Sequence, residues 1–284
     1  IRKVLIVIGR NRAGLLLILF VLLIIVDTSQ ILLLTAAKAV VATVSGRLIP
    51  VYSVFTPERK VSLTFEGASG KDMTREILAI LEEHSIIATF FLSGEWIERH
   101  KDSINGIIEG NHEFGNYTYS VPHSNSLLKA ELKRELEKAH KYIEMVSGQA
   151  PEVFRPPYGE YSNKVIEASR ELGYETVIWS IDSLDWRGTS PEEMKKRILG
   201  KLHNGAIIRF HVTGRNTPGV LRQIIEDIKE QGYEIVPLSQ LLLEGDYYIH
   251  PHTGEMRPIQ MPSTGPGERR GILDETQRQA GSQT

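Results

Sequence analysis

Apolar residues change their spacing several times along this chain, and each spacing predicts a different element. From Ala13 to Val26 polar side chains are absent. After Asp27, Thr28, Ser29 and Gln30 the apolar character resumes at Ile31 to Leu34 and runs on to Ala37. Read as one span, residues 13–37 reach the roughly 20 residues that a bilayer requires. Asp27 near the centre costs about 3 kcal/mol, and sixteen Leu, Ile, Val and Phe residues at about −0.3 to −0.6 kcal/mol each outweigh it. Arg2, Lys3, Arg10 and Arg12 make residues 1–12 a basic flank that stays cytoplasmic, which exports everything after the span. The rival reading is a signal peptide cleaved at Ala37-Lys38-Ala39, a small-x-small pattern. The length of the apolar run favours an uncleaved signal-anchor. The expected arrangement is a single-pass membrane protein with its domain outside the cytoplasm.

Residues 38–59, with Pro50 and Pro57, read as a linker. Val61 to Phe65 alternates apolar and polar positions, as in a β-strand with one half-buried face, and ends in Glu66, Gly67, Ala68 and Ser69. Asp72 to His84 places Ile77, Leu78 and Leu81 on one helix face. Ala88 to Leu92 is a β-rich apolar run, and a polar helical segment over 95–109 leads to Glu113-Phe114-Gly115-Asn116. The longest helical pattern spans Ser126 to Val146, with Leu128, Leu132, Leu136, Ala139, Ile143 and Val146 on its apolar face and Gly148 as its stop. Two later segments share one design, a helix ending at Gly173 or Gly232 and a strand beginning at once. Between them Ala206 to Phe210 is an apolar strand. Alternating strands and helices predict parallel βαβ units. The fold class expected for residues 60–243 is α/β, a distorted or incomplete (β/α) barrel of six to seven parallel strands, preceded by one N-terminal transmembrane helix. Residues 244–284 are polar, rich in Pro and Gly and without periodicity, which predicts a disordered tail.

Composition then narrows the chemistry. The formal net charge of −2 over 284 residues supplies no basic excess for nucleic acid. The absence of cysteine excludes disulfides, thiolate metal sites and a thiol-linked lipid. A metal would need His and carboxylate ligands. Glu66 stands at the carboxyl end of a predicted strand, where parallel α/β enzymes place catalytic groups. Its plainer reading is a structural carboxylate.

Five short stretches at predicted strand ends carry a resemblance. They are Thr64-Phe65-Glu66-Gly67-Ala68, Gly115-Asn116-Tyr117-Thr118-Tyr119-Ser120-Val121, Arg155-Pro156-Pro157-Tyr158, Asp182-Ser183-Leu184-Asp185-Trp186 and Ile207-Ile208-Arg209-Phe210-His211. In order and spacing they resemble the polysaccharide deacetylase family, the NodB-homology domain of carbohydrate esterase family four, over roughly Pro50 to Leu243. The apolar N-terminus and Ile49-Pro50-Val51-Tyr52 are more similar to a sporulation-linked, membrane-anchored branch.

The resemblance implies a hydrolase of N-acetylated cell-wall glycans, peptidoglycan or chitin-like, which cleaves an amide C–N bond with a zinc-like divalent metal. It implies Glu66 as general base, Arg155 as the group that orients and charges it, His211 as general acid and Asp185 as its partner. Tyr158 and Trp186 would contact substrate, Trp186 as groove wall. The family's metal ligands fall on Gly67, Tyr117 and Val121. The motif's second Asp is here Gly67, and its two His are Tyr117 and Val121. None of these is a good ligand, so no metal cofactor is expected. A rescue from His123 and Glu66 needs a shifted loop. Without the ion, water stays far less acidic than a metal-bound water, whose pKa falls to about 7. Turnover is therefore expected to be weak or impaired. The alternative is a non-catalytic, membrane-tethered glycan-binding or envelope-assembly protein.

Overall fold

The structure, a computed structural model, describes residues 46–259. The expectations for residues 1–45 and 260–284 lie outside these. Among the described residues no helix is long and apolar enough to cross a membrane.

In chain order the elements are β1 (Ser53–Val54), β2 (Lys60–Gly67), α1 (Thr74–Glu83), β3 (Thr89–Leu92), α2 (Gly94–Arg99), α3 (Lys101–Glu109), β4 (Glu113–Asn116) and α4 (Lys129–Ser147). Then follow β5 (Val153–Phe154), α5 (Asn163–Arg170), β6 (Glu175–Thr176), β7 (Ile181–Asp182), α6 (Pro191–Leu199) and β8 (Ala206–His211). The chain closes with α7 (Thr217–Glu230), β9 (Glu234–Ile235), α8 (Leu238–Leu241), β10 (Tyr247–Ile249) and β11 (Glu255–Pro258). Strands β8, β2, β3, β4, β5 and β6 run parallel in that spatial order, a sheet curled into a distorted barrel. The other edge of β8 is shared by β1, antiparallel at its start, and β7, parallel near its end.

Strand β2 corrects the half-buried reading of its alternation. Val61, Leu63 and Phe65 belong to the core cluster that includes Ile77 and Leu81 of α1 and Leu221, Ile224 and Ile228 of α7. Ser62, Thr64 and Glu66 alternate with them and are buried too. The polar positions line the barrel interior, because a parallel sheet covered by helices leaves neither face to solvent. Strand β8 follows the same rule. Ala206, Ile208 and Phe210 join the outer core, and Arg209 and His211 alternate inward.

Helix α4 buries Leu132, Leu136, Ala139 and Ile143 as its period predicts, and ends at Gly148 in the left-handed conformation (φ 70°). Leu128 is instead the N-cap residue, 68% exposed, and its N–H donates to Glu131 Oε2 at 2.8 Å. The polar segment over 95–109 is two helices, α2 and α3, separated at His100.

Two boundaries differ from expectation. The second half of the expected linker belongs to the domain: Val51 pairs with Val177, and Ser53 and Val54 pair with β11 while Ser53 also pairs with β8. The first part of the expected tail is ordered as well, because β10 and β11 form an antiparallel pair docked on β1. Strands this short carry almost no periodic signal, and their stability comes from mutual pairing.

Candidate active site

The cluster is built by register. In the parallel ladder between β2 and β8, Thr64 lies opposite Arg209 and Glu66 opposite His211. The period of two then points all four side chains into the barrel. Arg155 follows β5 and is fully buried, with its guanidinium 4.0 Å above the centre of the Phe91 ring. A Cβ at Gly115 would meet Phe91 at 2.4 Å, so glycine there makes room for the ring that carries Arg155.

Glu66 is 2% exposed and hydrogen-bonded on both oxygens. Oε1 accepts from Arg155 Nη1 at 3.2 Å. Oε2 accepts from the Tyr117 hydroxyl at 3.1 Å, and lies 3.4 Å from His211 Nε2 and 3.7 Å from Arg209 Nη1. Arg155 also donates to Thr64 Oγ1 at 2.9 Å and to the carbonyls of Val177 and Ile178 at 3.3 and 2.7 Å. Arg209 pairs with Asp182 at 2.8 Å and stacks on Trp179, 3.6 Å from the ring centre. Asp185 Oδ1 lies 2.7 Å from His211 Nδ1, and its Oδ2 accepts from the His211 N–H and the Thr217 hydroxyl, each at 2.8 Å.

Burial alone would raise the Glu66 pKa, but the His211 hydrogen bond and the charges of Arg209, His211 and Arg155 override it and hold the group at about 2. Burial alone would lower His211, yet Asp185 and Glu66 raise it to about 9. Asp185 is lowered by His211 and Thr217 against its burial. Tyr117 is raised well above its ordinary value by burial and by the Glu66 charge, so its hydroxyl keeps its proton. At neutral pH the cluster holds a carboxylate, a protonated imidazole and two guanidinium groups in balance with Asp182 and Asp185.

These shifts set a pH dependence. His211, raised from 6.5 to about 9, contributes stability that is full below 6.5 and lost as pH rises through 9. His112 is lowered by burial from 6.5 to about 4, so it costs stability as pH falls below 6.5. The Glu66 contribution is full above 4.5 and lost as pH falls towards 2. The melting temperature is expected to peak near pH 6.5 and fall on both sides. Asp185→Asn should flatten the alkaline limb. Scanning calorimetry across the pH range checks this; an alkaline limb already flat in the native protein would remove the His211 assignment.

The structure thus brings Glu66, Arg155, Asp185 and His211 together at the carboxyl ends of different strands. Tyr158 and Trp186 lie on the exposed rim, Trp186 half-exposed with the Arg187 guanidinium over its ring, so Trp186 is not core. Tyr158 has left-handed backbone (φ 62°), and its N–H donates to the Tyr117 hydroxyl at 3.4 Å. His123 stacks on Tyr158 and pairs with Glu160 at 3.1 Å, away from a rescue role. His112 accepts from the Ala88 N–H at the opposite end of the strands. Sequence reading missed Arg209 and the Tyr117–Glu66 bond. The signal for Arg209 was its place two residues before His211, the spacing that also puts Thr64 beside Glu66.

The donor set at the family's metal positions does not fit an ion. Gly67 has no side chain, Val121 presents an alkyl group, and the Tyr117 hydroxyl is protonated and committed to Glu66. Among the described residues no three His, Cys, Asp or Glu side chains are grouped to hold a metal.

A curled parallel sheet covered by helices, with an acid–base cluster at the carboxyl ends of its strands, defines an α/β barrel protein with its site on that face. A polysaccharide deacetylase family profile matches residues 54–177, and the chain belongs to that family. It is 32% identical to a peptidoglycan-N-acetylglucosamine deacetylase of Bacillus cereus, over 64% of this chain and 68% of that one. It is also 32% identical to the uncharacterised protein YlxY of Bacillus subtilis, over 69% of this chain but only 61% of the relative's length. Among solved structures it resembles BA3943 of Bacillus anthracis, described as a pseudoenzyme of the same family, with a TM-score of 0.65 and 31% identity over 68% of each chain. A BA3943 mutant described as having restored enzymatic activity is similar to the same degree, with a TM-score of 0.65.

Proposed function

We propose that this chain is a polysaccharide deacetylase-like protein of the cell envelope that holds N-acetylated wall glycan, peptidoglycan or chitin-like, and hydrolyses it weakly or not at all. The observation that carries this reading is the state of Glu66. A base must accept a proton from attacking water, and Glu66 is held at about 2 with both oxygens occupied. The Tyr117 hydroxyl, from a metal-ligand position of the family, fills the place on Glu66 that a reacting water would need. The side chains at positions 67, 117 and 121 do not fit a metal ion. His211 keeps the arrangement of a general acid, protonated and oriented by Asp185, but acid without base leaves the amide intact.

The groove is a different matter. Tyr158 and Trp186 are both more than a third exposed, and aromatic side chains of this kind are surfaces on which sugar rings pack; His123 stacks on one and the Arg187 guanidinium lies over the other. In this reading residues 13–37 tether the domain to the outer face of the membrane. A resident hydrolase is the competing reading, favoured by the intact His211–Asp185 pair.

Two measurements separate them. The purified protein should release no acetate from peptidoglycan or chitin oligomers above background and should carry metal well below one equivalent. It should nevertheless bind those oligomers, and Trp186→Ala should weaken binding about tenfold, the effect of losing roughly 1.4 kcal/mol at an aromatic anchor. Robust acetate release, or binding untouched by Trp186→Ala, would overturn the corresponding half of the proposal.

A further inference from the structure

The chain reaches the barrel at the carboxyl end of the parallel strands, the end that carries Glu66 and His211. Asn163, at the start of α5, donates to the Gly46 carbonyl at 2.6 Å and accepts from the Leu48 N–H at 2.8 Å. The Arg47 guanidinium lies 5.8 Å from the centre of the Tyr161 ring, and Tyr52 shares a hydrogen bond with the Tyr161 hydroxyl at 3.1 Å. Tyr161 lies in the loop after β5 that also presents Tyr158, and Asn163 opens the helix that follows it, so Gly46 sits at the carboxyl end of the parallel strands. From there the chain runs down the barrel wall, past Val177, to meet Ala206 at the start of β8. With 46–59 incorporated in the domain, the expected linker of residues 38–59 shrinks to the eight residues 38–45. Fully extended, eight residues span at most about 30 Å.

We infer that the domain is tethered groove-first: its rim is held within the reach of residues 38–45 from the outer leaflet, and its ligand is the glycan lying next to the membrane. The inference rests on the reading of 13–37 as an anchor. A domain of this size is about 40 Å across, so a tether at the opposite end would have let the groove sweep glycan well beyond that layer. Attachment at the start of α5, at the carboxyl end of the strands, confines it. The occupant of the groove is therefore a glycan strand still close to the bilayer where wall material is added, not the mature outer wall.

The absence of native cysteine makes the test direct. Asn125→Cys, on the exposed loop whose carbonyl Lys164 holds near the rim, and Glu230→Cys, at the far end of α7, each introduce one thiol into the full chain. Each variant is labelled with a donor dye and reconstituted into vesicles of neutral phospholipid bearing acceptor-labelled headgroups in the outer leaflet. Energy transfer from position 125 should exceed that from position 230 at least about twofold, given about 40 Å between the two ends. Inserting about twenty Gly and Ser residues after Ser45 adds roughly 25 Å of reach and should narrow the difference. Equal transfer from both positions, or more from position 230, overturns the orientation while leaving the anchor standing. Protein that fails to float with the vesicles overturns the anchor and this inference together. Neither result touches glycan binding, which is measured on the same preparation with soluble oligomers.

Discussion

Arg155→Met lowers the free energy of unfolding by about 3–5 kcal/mol in urea titrations, the range expected when one member of a buried charge pair is removed. The side chain is fully buried, and its loss strands more than Glu66. Thr64 Oγ1 and the carbonyls of Val177 and Ile178, all buried, also lose their donor. Arg209, 3.7 Å from the other oxygen of Glu66 and already paired with Asp182, compensates only partly. Arg155→Lys keeps the charge but not the planar fork, and should recover less than half of the loss. Since domains of this kind are stable by about 5–15 kcal/mol, the Met variant should fold and be measurable by tryptophan fluorescence. A loss below about 1 kcal/mol, the value of an exposed pair, would mean that water reaches the cluster.

Rebuilding the ligand set should have the largest chemical effect. Gly67→Asp, Tyr117→His and Val121→His together supply one carboxylate and two imidazoles, a set suited to zinc or a similar ion. The triple variant is expected to hold close to one equivalent of zinc after dialysis, where the native protein holds far less. The three positions are not equally receptive. A Cβ at Gly67 would lie 2.6 Å from Leu92 Cδ2 and 2.8 Å from Val212 Cγ2, so Gly67→Asp alone should cost about 1–3 kcal/mol through overpacking. Val212→Ala should return part of that cost and raise zinc occupancy. One compensation is built in: the buried Trp96 Nε1, 3.2 Å from that Cβ, finds no acceptor in the fold, and a carboxylate at 67 would offer one. Val121 is a β-branched residue at φ 58°, a conformation that His tolerates better, so Val121→His should be neutral or stabilising. Tyr117→His removes the hydroxyl that caps Glu66. Metal analysis and acetate release on the same samples check the series, with Glu66→Asp added in case the longer carboxylate misplaces its oxygen. Stoichiometric zinc in the native protein would defeat this account and point to ligands other than those three.

The barrel was legible because long helices such as α4 and α7 announce themselves by period and by terminal glycines. The ends of β2 and β8 were legible because polar residues interrupt apolar strands only where something needs them. What escaped had physical reasons. Alternation in β2 looks the same whether the polar face meets solvent or a barrel interior, so the burial of Ser62 and Thr64 could not be read. The apolar run that ends in His211 carries Arg209 without marking it as a participant, because one cation inside a strand has no local pattern to set it apart. The pairing of β1 with β11 joins a segment read as linker to one read as tail, and neither is recognisable without the other. The Tyr117–Glu66 bond depends on a contact between residues 51 apart in sequence, which no local pattern encodes.

Strand β2 has a temporal consequence. Its bond from Thr64 Oγ1 to Ile208 joins residues 144 apart, and Glu66 meets His211 only across the same ladder. A chain that emerges amino end first exposes β2 long before β8 is available. Such distant pairing makes folding slow relative to local helix formation. Until β8 arrives Glu66 has neither His211 nor Arg209, so β2 can pair with β3 but cannot bury its carboxylate at low cost. Closure of the barrel and neutralisation of its interior are therefore one late event, and the half-made sheet must be shielded for as long as the last third of the domain takes to appear.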